Sequence, residues 1–178
     1  MIEILILSLV QGITEFLPIS SSSHLIIISE FINFEGQSLS IDVSLHIGSF
    51  IAVLTYFYKD IFNFIKNKEL FVKIFISSIP VMLLGYILIQ TNLIQELRNI
   101  KIIGWMTLIF GILLYLSDQR KVTKKIETGF TNKTAIIFGL YQVLSLIPGV
   151  SRAGITITSG RLLGFDRFES AKISFLLA

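Results

Sequence analysis

The sequence predicts an all-α integral membrane protein, with transmembrane helices and two re-entrant helix-loop-helix hairpins arranged as an inverted repeat. Three observations carry this reading. The chain is oily: of its 178 residues 53% are hydrophobic and only 15% charged, with a mean hydropathy of +0.78, whereas a soluble domain carries roughly a quarter charged residues. Three apolar stretches are long enough to cross a bilayer. Two shorter apolar stretches are each broken by a proline amid small and hydroxyl residues.

The first break is Gln11 to His24, QGITEFLPISSSSH. Met1 to Leu17 is too short and interrupted to cross, since a spanning helix needs about 20 mainly apolar residues. Gln11 and Glu15 are four apart and share a helix face. Pro18 ends the helix, and Ser20 to Ser23 can cap a second one. Leu25 to Phe34 is again apolar and short. Two short helices around a polar break describe a hairpin that enters and leaves on one side, tolerated at membrane depth where protein or water lines it.

The spanning stretches run from about Ile41 to Tyr58, Leu70 to Gln90 and Ile100 to Ser117, each near the ~17–25 residues of a crossing. The connection Lys59 to Lys73 holds Lys59, Lys66, Lys68 and Lys73, and Asp118 to Lys133 holds Arg120, Lys121, Lys124, Lys125 and Lys133. Thr91 to Lys101 holds only Arg98 and Lys101, and Asn33 to Asp42 holds neither Lys nor Arg. The positive-inside rule places the two Lys-rich connections in the cytoplasm and the first hairpin open to the outer face. The net charge of +3 sits between apolar runs, which argues for orientation in a bilayer and against nucleic-acid binding. No cysteine is present, so neither a disulfide nor thiolate chemistry enters.

The second break follows Thr134 to Ile147, too short to cross. Pro148-Gly149 interrupts it and Ser151 to Leu163 can resume a helix. Glu15 to Ser22 (EFLPISSS) and Ser145 to Arg152 (SLIPGVSR) share a pattern, each with a glutamine upstream, Gln11 and Gln142. Three crossings lie between them, so the second enters from the opposite face, as broken helices of inverted repeats do. The whole, 1–178, reads as one membrane domain, with a first repeat over about 1–117 and a second from about 134. The apolar run from Phe168 to Ala178 is only about 11 residues long, too few to span, which reads as an incomplete second repeat.

Several residues here carry chemistry. Glu15 is an intramembrane carboxylate, a type that usually marks a pathway or site. Arg152 presents a planar fork suited to phosphate oxygens where a helix begins, so the N–H groups of Arg152, Ala153 and Gly154 favour an anion. Ser151 and Thr156 add hydroxyls. The competing role for Arg152 is a structural pair with Glu15. His24 is three residues from Ser21, on one helix face, which suits an activated serine or a lone acid–base group; its competing role is a satisfied interior histidine. Glu15, His24 and Gln11 also suit one divalent ion. His46 reads as a helix-packing histidine. The sum is an anion site among oily helices, suited to an amphiphile with a phosphorylated head. A secondary transporter or lipid flippase is the alternative, since inverted repeats with broken helices are typical of transporters.

At these motifs the sequence resembles the undecaprenyl-diphosphate phosphatase family, the membrane enzymes linked to bacitracin resistance. The family's (E/Q)xxxE motif is Gln11 to Glu15, its LPxSS is Leu17 to Ser21, followed by His24, and its PGxSRSxxT is Pro148 to Thr156. Ala153 replaces the second serine of the latter motif, Ser23 stands where glycine is common, and family members are longer. The resemblance implies hydrolysis of the terminal phosphate of undecaprenyl diphosphate, which recycles the lipid carrier for cell-wall synthesis. It further implies a multi-pass protein of the bacterial inner membrane, a homodimer, and dependence on a divalent cation (Mg²⁺ or Ca²⁺) held by Glu15 and Gln11. Glu15, Ser21, His24 and Arg152 are the implied catalytic residues. Ser20, Ser151, Arg152, Gly154 and Thr156 are the implied phosphate-binding ones. Both Ser21 as covalent nucleophile and a directly attacking water fit the sequence.

Overall fold

A computed structural model describes residues 2–91, 93 and 97–178. The described elements are α1 (Ile2–Thr14), α2 (Ser21–Phe31), α3 (Leu39–Tyr56), α4 (Tyr58–Lys66), α5 (Lys68–Gln90), α6 (Ile100–Asp118), α7 (Ile126–Gly129), α8 (Asn132–Val143), a 3-10 turn (Leu144–Leu146), α9 (Arg152–Leu162) and α10 (Arg167–Leu176). No strand occurs among the described residues; an isolated bridge joins Lys124 to Phe165.

Helices α3, α5 and α6, of 18, 23 and 19 residues, are long and apolar enough to cross a membrane. They coincide with the three stretches read from hydropathy to within two residues. Their outward faces stay uncovered: Phe50, Met82 and Leu116 are each more than half exposed, as lipid-facing side chains are, because hydrocarbon is as apolar as they are. The chain is a membrane protein. Polar residues mark the helix starts. Asn67 accepts from the Leu70 N–H at 3.2 Å, Asn99 from Lys101 at 2.9 Å and Asp166 from Glu169 at 2.8 Å, each satisfying a donor that the helix leaves unpaired.

Two features depart from expectation. The Lys-rich connection after α3 is mostly helical: α4 fills Tyr58–Lys66, separated from α3 by Phe57 alone. Ser20 precedes α2 as its cap residue, yet its side chain accepts no backbone N–H; it accepts from Ser23 Oγ at 2.8 Å instead. A neighbouring hydroxyl has outcompeted the helix terminus.

The core lies at one end. Phe130, Phe138 and Phe165 are buried with Ile74, Ala135 and Ile173, and Phe130 meets Phe138 edge-on, 5.6 Å between centroids. Phe64 of α4 and Ile126 of α7 pack against the same cluster. Both Lys-rich connections therefore share one end of the molecule. Asn33, Gln37 and Arg98 line a common cleft, which brings the Lys-poor connections together too.

Close helix approach fixes the scaffold. A Cβ on Gly139 of α8 would stand 2.5 Å from the Ser77 carbonyl and 2.9 Å from Pro80 of α5. The Ser77 hydroxyl lies 2.8 Å from the Ala135 carbonyl across the same seam, a small-residue contact of the kind that packs membrane helices. Gly149 holds φ at +101°, with Ile103 and Met106 of α6 against its α-carbon. Only glycine adopts this turn without strain. At the far end of α9, Arg161 is 4% exposed and donates to the Phe165 and Asp118 carbonyls, each at 3.1 Å, and to that of Arg120. It thereby satisfies the open C-terminal end of α6.

Gly139→Ala is expected to lower the thermal unfolding temperature in detergent markedly, because α5 and α8 must part. Gly111→Ala, whose new Cβ meets nothing within 4 Å, is expected to be neutral or to stabilise by up to about 1 kcal/mol from helix propensity. Equal effects of the two would contradict the packing described.

Candidate phosphate site

Glu15 follows α1 directly. Its backbone N–H still bonds the Gln11 carbonyl at 3.0 Å, so the side chain leaves the end of α1 at a fixed angle. Pro18 and the serines then turn the chain into α2. On the other side Ser151 caps α9, accepting from the Gly154 N–H at 3.1 Å, and Arg152 is the first residue of that helix. The two breaks touch: a Cβ on Gly154 would come within 3.3 Å of the Pro18 carbonyl.

The breaks are joined at Glu15. Arg152 Nη2 donates to Oε1 at 2.7 Å. Oε2 receives Gln11 Nε2 at 2.8 Å and Ser21 Oγ at 2.6 Å, and His46 Nε2 lies 3.2 Å from it. The carboxylate is 8% exposed, against 35% for Arg152 and 33% for His46. A carboxylate offers about four acceptor positions, and three donors plus the imidazole occupy them. That is what makes its burial tolerable. Arg152 also donates through Nη1 to the Ala178 carbonyl at 2.8 Å.

His46 Nδ1 donates to the Asp42 carbonyl at 2.7 Å, one turn earlier in α3. With Nδ1–H so committed, the Nε2 contact to Glu15 needs a further proton, carried by the imidazole or by the carboxyl. Glu15, Ser21 and His46 thus form one proton-sharing group.

The structure brings together Gln11, Glu15, Ser21 and Arg152, and places Ser20, Ser151 and Ala153 on the wall of the same 330 Å³ cleft. For four residues the contacts differ from those the sequence suggests. His24 does not reach Glu15 or Ser21: its Nδ1 lies 2.7 Å from the Ser20 carbonyl, one turn back, and it does not line the cleft. His46, which reads as a packing residue in sequence, is the histidine at the carboxylate. Thr156 is fully buried between α9 and α10, its hydroxyl 2.7 Å from Ser174 Oγ and 2.8 Å from the Arg152 carbonyl. It is a helix–helix contact and not a cleft donor. Gly154 contributes closeness rather than a donor, because its N–H is bound by Ser151.

Sequence reasoning missed a second ion pair. Arg98 Nη2 donates to Asp42 Oδ2 at 2.8 Å, and Gln37 Nε2 to Oδ1 at 2.7 Å. Asp42 is 3% exposed, and both Asp42 and Arg98 line the cleft. The signal was an acid in the first turn of an apolar helix with a lone arginine at the matching end of the next Lys-poor connection.

Gln11 Oε1 is buried with no partner among the described residues, an unspent acceptor beside Glu15. Among the described residues no group of three or more His, Cys, Asp or Glu gathers to form a cage.

A larger cleft of 630 Å³ adjoins the first. It is walled by Val43, Ile47, Phe50, Leu54, Phe64 and Phe175, and it shares Glu15, Asp42, His46 and Arg152 with the polar one. Charge and oil meet along these four residues.

Because Thr156 binds Ser174, Thr156→Val is expected to cost about 1–2 kcal/mol of stability in thermal unfolding, the net value of a buried hydrogen bond, with Thr156→Ser recovering most of it. An unchanged unfolding temperature would return Thr156 to the cleft.

A family model described as bacitracin resistance protein BacA matches residues 4–178. An undecaprenyl-diphosphatase of Pelagibacter ubique (strain HTCC1062) is 54% identical over 178 residues, covering 99% of this chain and 70% of the relative. Those of Jannaschia sp. (strain CCS1) and Saccharophagus degradans (strain 2-40) are 42% and 43% identical, each over 97% of this chain and 70% and 69% of the relative. The match runs through both breaks and the three long helices between them, and the chain belongs to the bacitracin resistance protein BacA family.

Proposed function

We propose that this protein hydrolyses undecaprenyl diphosphate to undecaprenyl phosphate and inorganic phosphate, returning the lipid carrier to cell-wall synthesis. One observation carries the reading beyond the family's name. The polar cleft and the apolar cleft share Glu15, Asp42, His46 and Arg152. A diphosphate head fits the first and an isoprenoid tail the second, with the scissile bond held near the shared residues.

The chemistry follows from the donors around Glu15. Ser21 Oγ lies 2.6 Å from Oε2, so the carboxylate can take its proton as the oxygen attacks the terminal phosphorus in line. The new Ser21 P–O bond forms as the anhydride P–O bond breaks and undecaprenyl phosphate leaves; a water deprotonated by Glu15 then attacks the phosphoserine, breaking the Ser21 P–O bond, releasing inorganic phosphate and restoring the hydroxyl. In the alternative route a water deprotonated by the same carboxylate attacks the terminal phosphorus directly, and inorganic phosphate forms in one step. His46, sharing a proton with Oε2, is the route by which that proton leaves Glu15 and reaches the departing phosphate. Arg152 and the N-terminus of α9 face the negative charge that builds on the phosphoryl oxygens, where preorganised donors contribute most. A divalent cation, implied by the family resemblance, would be held by Gln11 Oε1 and by Glu15 in place of one of its present donors, together with phosphate oxygens, and would supply further charge neutralisation when bound.

The membrane placement belongs to the same proposal. The Lys-rich end bearing α4 and α7 lies in the cytoplasm, within a bacterial inner membrane. The two breaks are re-entrant hairpins of an inverted repeat, and the polar cleft opens outward. Contact of the breaks at the Glu15–Arg152 pair supports this reading, as does the gathering of Lys-rich connections at one end. Assembly as a homodimer is proposed on the resemblance alone.

Phosphate release from an isoprenoid diphosphate by the purified protein tests the reading. Glu15→Gln and Arg152→Ala, still folded by gel filtration, are expected to lose about 10²-fold or more in kcat/KM. His46→Ala is expected to lose a comparable amount, and His24→Ala far less, since only His46 touches the carboxylate. The reverse order for the two histidines would overturn the proton route. A folded protein inert with added Mg²⁺ or Ca²⁺ would bring a transporter to the front. A phospho-enzyme burst under rapid quench, lost in Ser21→Ala, separates the serine nucleophile from water.

A further inference from the structure

The polar cleft holds two guanidinium groups, and the reaction drawn above uses one. Arg98 stands at the cleft's other wall, 15% exposed. The same residue lines a separate 590 Å³ cleft with Ser29, Asn33, Gln37 and Ser38. With Ile26 and Leu39, Arg98 lines both clefts, and among the described residues it is the one charged residue that they share. Among the described residues its side chain makes one bond, the Nη2 contact to Asp42 Oδ2 at 2.8 Å, although a guanidinium carries five N–H donors. Asp42 is the fixed member of the pair: 4% exposed, held from the other side by Gln37 at 2.7 Å, with its carbonyl bound to His46.

We propose that Arg98 is a second oxyanion-binding residue, which takes phosphate oxygens at the passage between the polar cleft and the cleft beyond. This rests on the phosphatase reading and extends it. Asp42 is the counter-ion that Arg98 holds when no phosphate is present, so an arriving anion competes with it for the guanidinium fork. The cleft beyond also carries Glu30 and Glu35, which repel an anion that has passed Arg98 and favour its departure. Two sources of phosphate oxygens satisfy this chemistry, the head of the bound diphosphate and the freed inorganic phosphate.

Three variants test it: Arg98→Gln, Arg98→Lys and Asp42→Asn. Inorganic phosphate is titrated by calorimetry against each purified protein, and its inhibition of hydrolysis is measured beside KM. Arg98→Gln is expected to weaken phosphate binding about tenfold, the value of a hydrogen bond to a charged group, and Arg98→Lys to weaken it less. Asp42→Asn is expected to tighten it, because it removes the competing carboxylate. Damage to the fold would weaken binding in every variant, so the opposite sign distinguishes the two. A rise in the phosphate inhibition constant alone assigns the residue to the released product; a parallel rise in KM assigns it to the substrate head as well. Unchanged phosphate affinity in Arg98→Gln, or weaker binding in Asp42→Asn, overturns the proposal. Calorimetry does not require turnover, so a protein that binds phosphate in this pattern yet cleaves no diphosphate would refute the phosphatase reading while leaving the Arg98 site standing.

Discussion

The ion pair between Glu15 and Arg152 joins residues 137 positions apart, and the rest of the structure depends on it. A carboxylate 8% exposed among apolar helices is costly unless every acceptor position is met. Gln11, Ser21, His46 and Arg152 meet them from α1, α2, α3 and α9. Four helices are therefore oriented by one side chain. Removing any one donor leaves a buried acceptor open, so the geometry is held from several sides at once. A site held this way is preorganised, which is what phosphoryl transfer asks of a protein.

That arrangement explains why the helices around the site are short. A continuous helix would bury its own backbone groups and present only side chains to the cleft. Breaking α1 before Pro18 and α8 before Pro148 turns the chain so that helix ends face each other. The positive end of α9 then points at the place where the negative charge of a ligand would sit. Gly149 makes the second turn feasible against α6, and Gly154 lets the two turns touch. Away from the site the same oily helices leave Phe50, Met82 and Leu116 facing outward. The cleft around Glu15 is polar and the faces beside it are apolar, so an amphiphilic ligand matches both.

Much of this was legible in the chain itself. The three long helices follow from hydropathy, because eighteen or more apolar residues in succession have few other stable arrangements. The two breaks follow from Pro18 and Pro148, whose effect on a helix is local. Gln11 and Glu15 bond as their four-residue spacing requires. The contact that His24 makes is equally local. Ser21 and His24 are three apart, but His24 Nδ1 bonds the Ser20 carbonyl one turn back. Thr156 is the opposite case: its spacing in the motif says nothing of Ser174, which covers it from α10.

The sequence by itself determined the class of protein, the number of long helices, the positions of the breaks and the acid and guanidinium that they carry. Each is settled by interactions within a few residues or by the preference of an apolar run for lipid. Tertiary structure decided which histidine meets Glu15, that Asp42 pairs with Arg98, and that the polar and apolar clefts run together. These depend on how α3 lies against the ends of α1 and α9, a relation set by close packing and by the donor demands of buried carboxylates. No spacing along the chain encodes it.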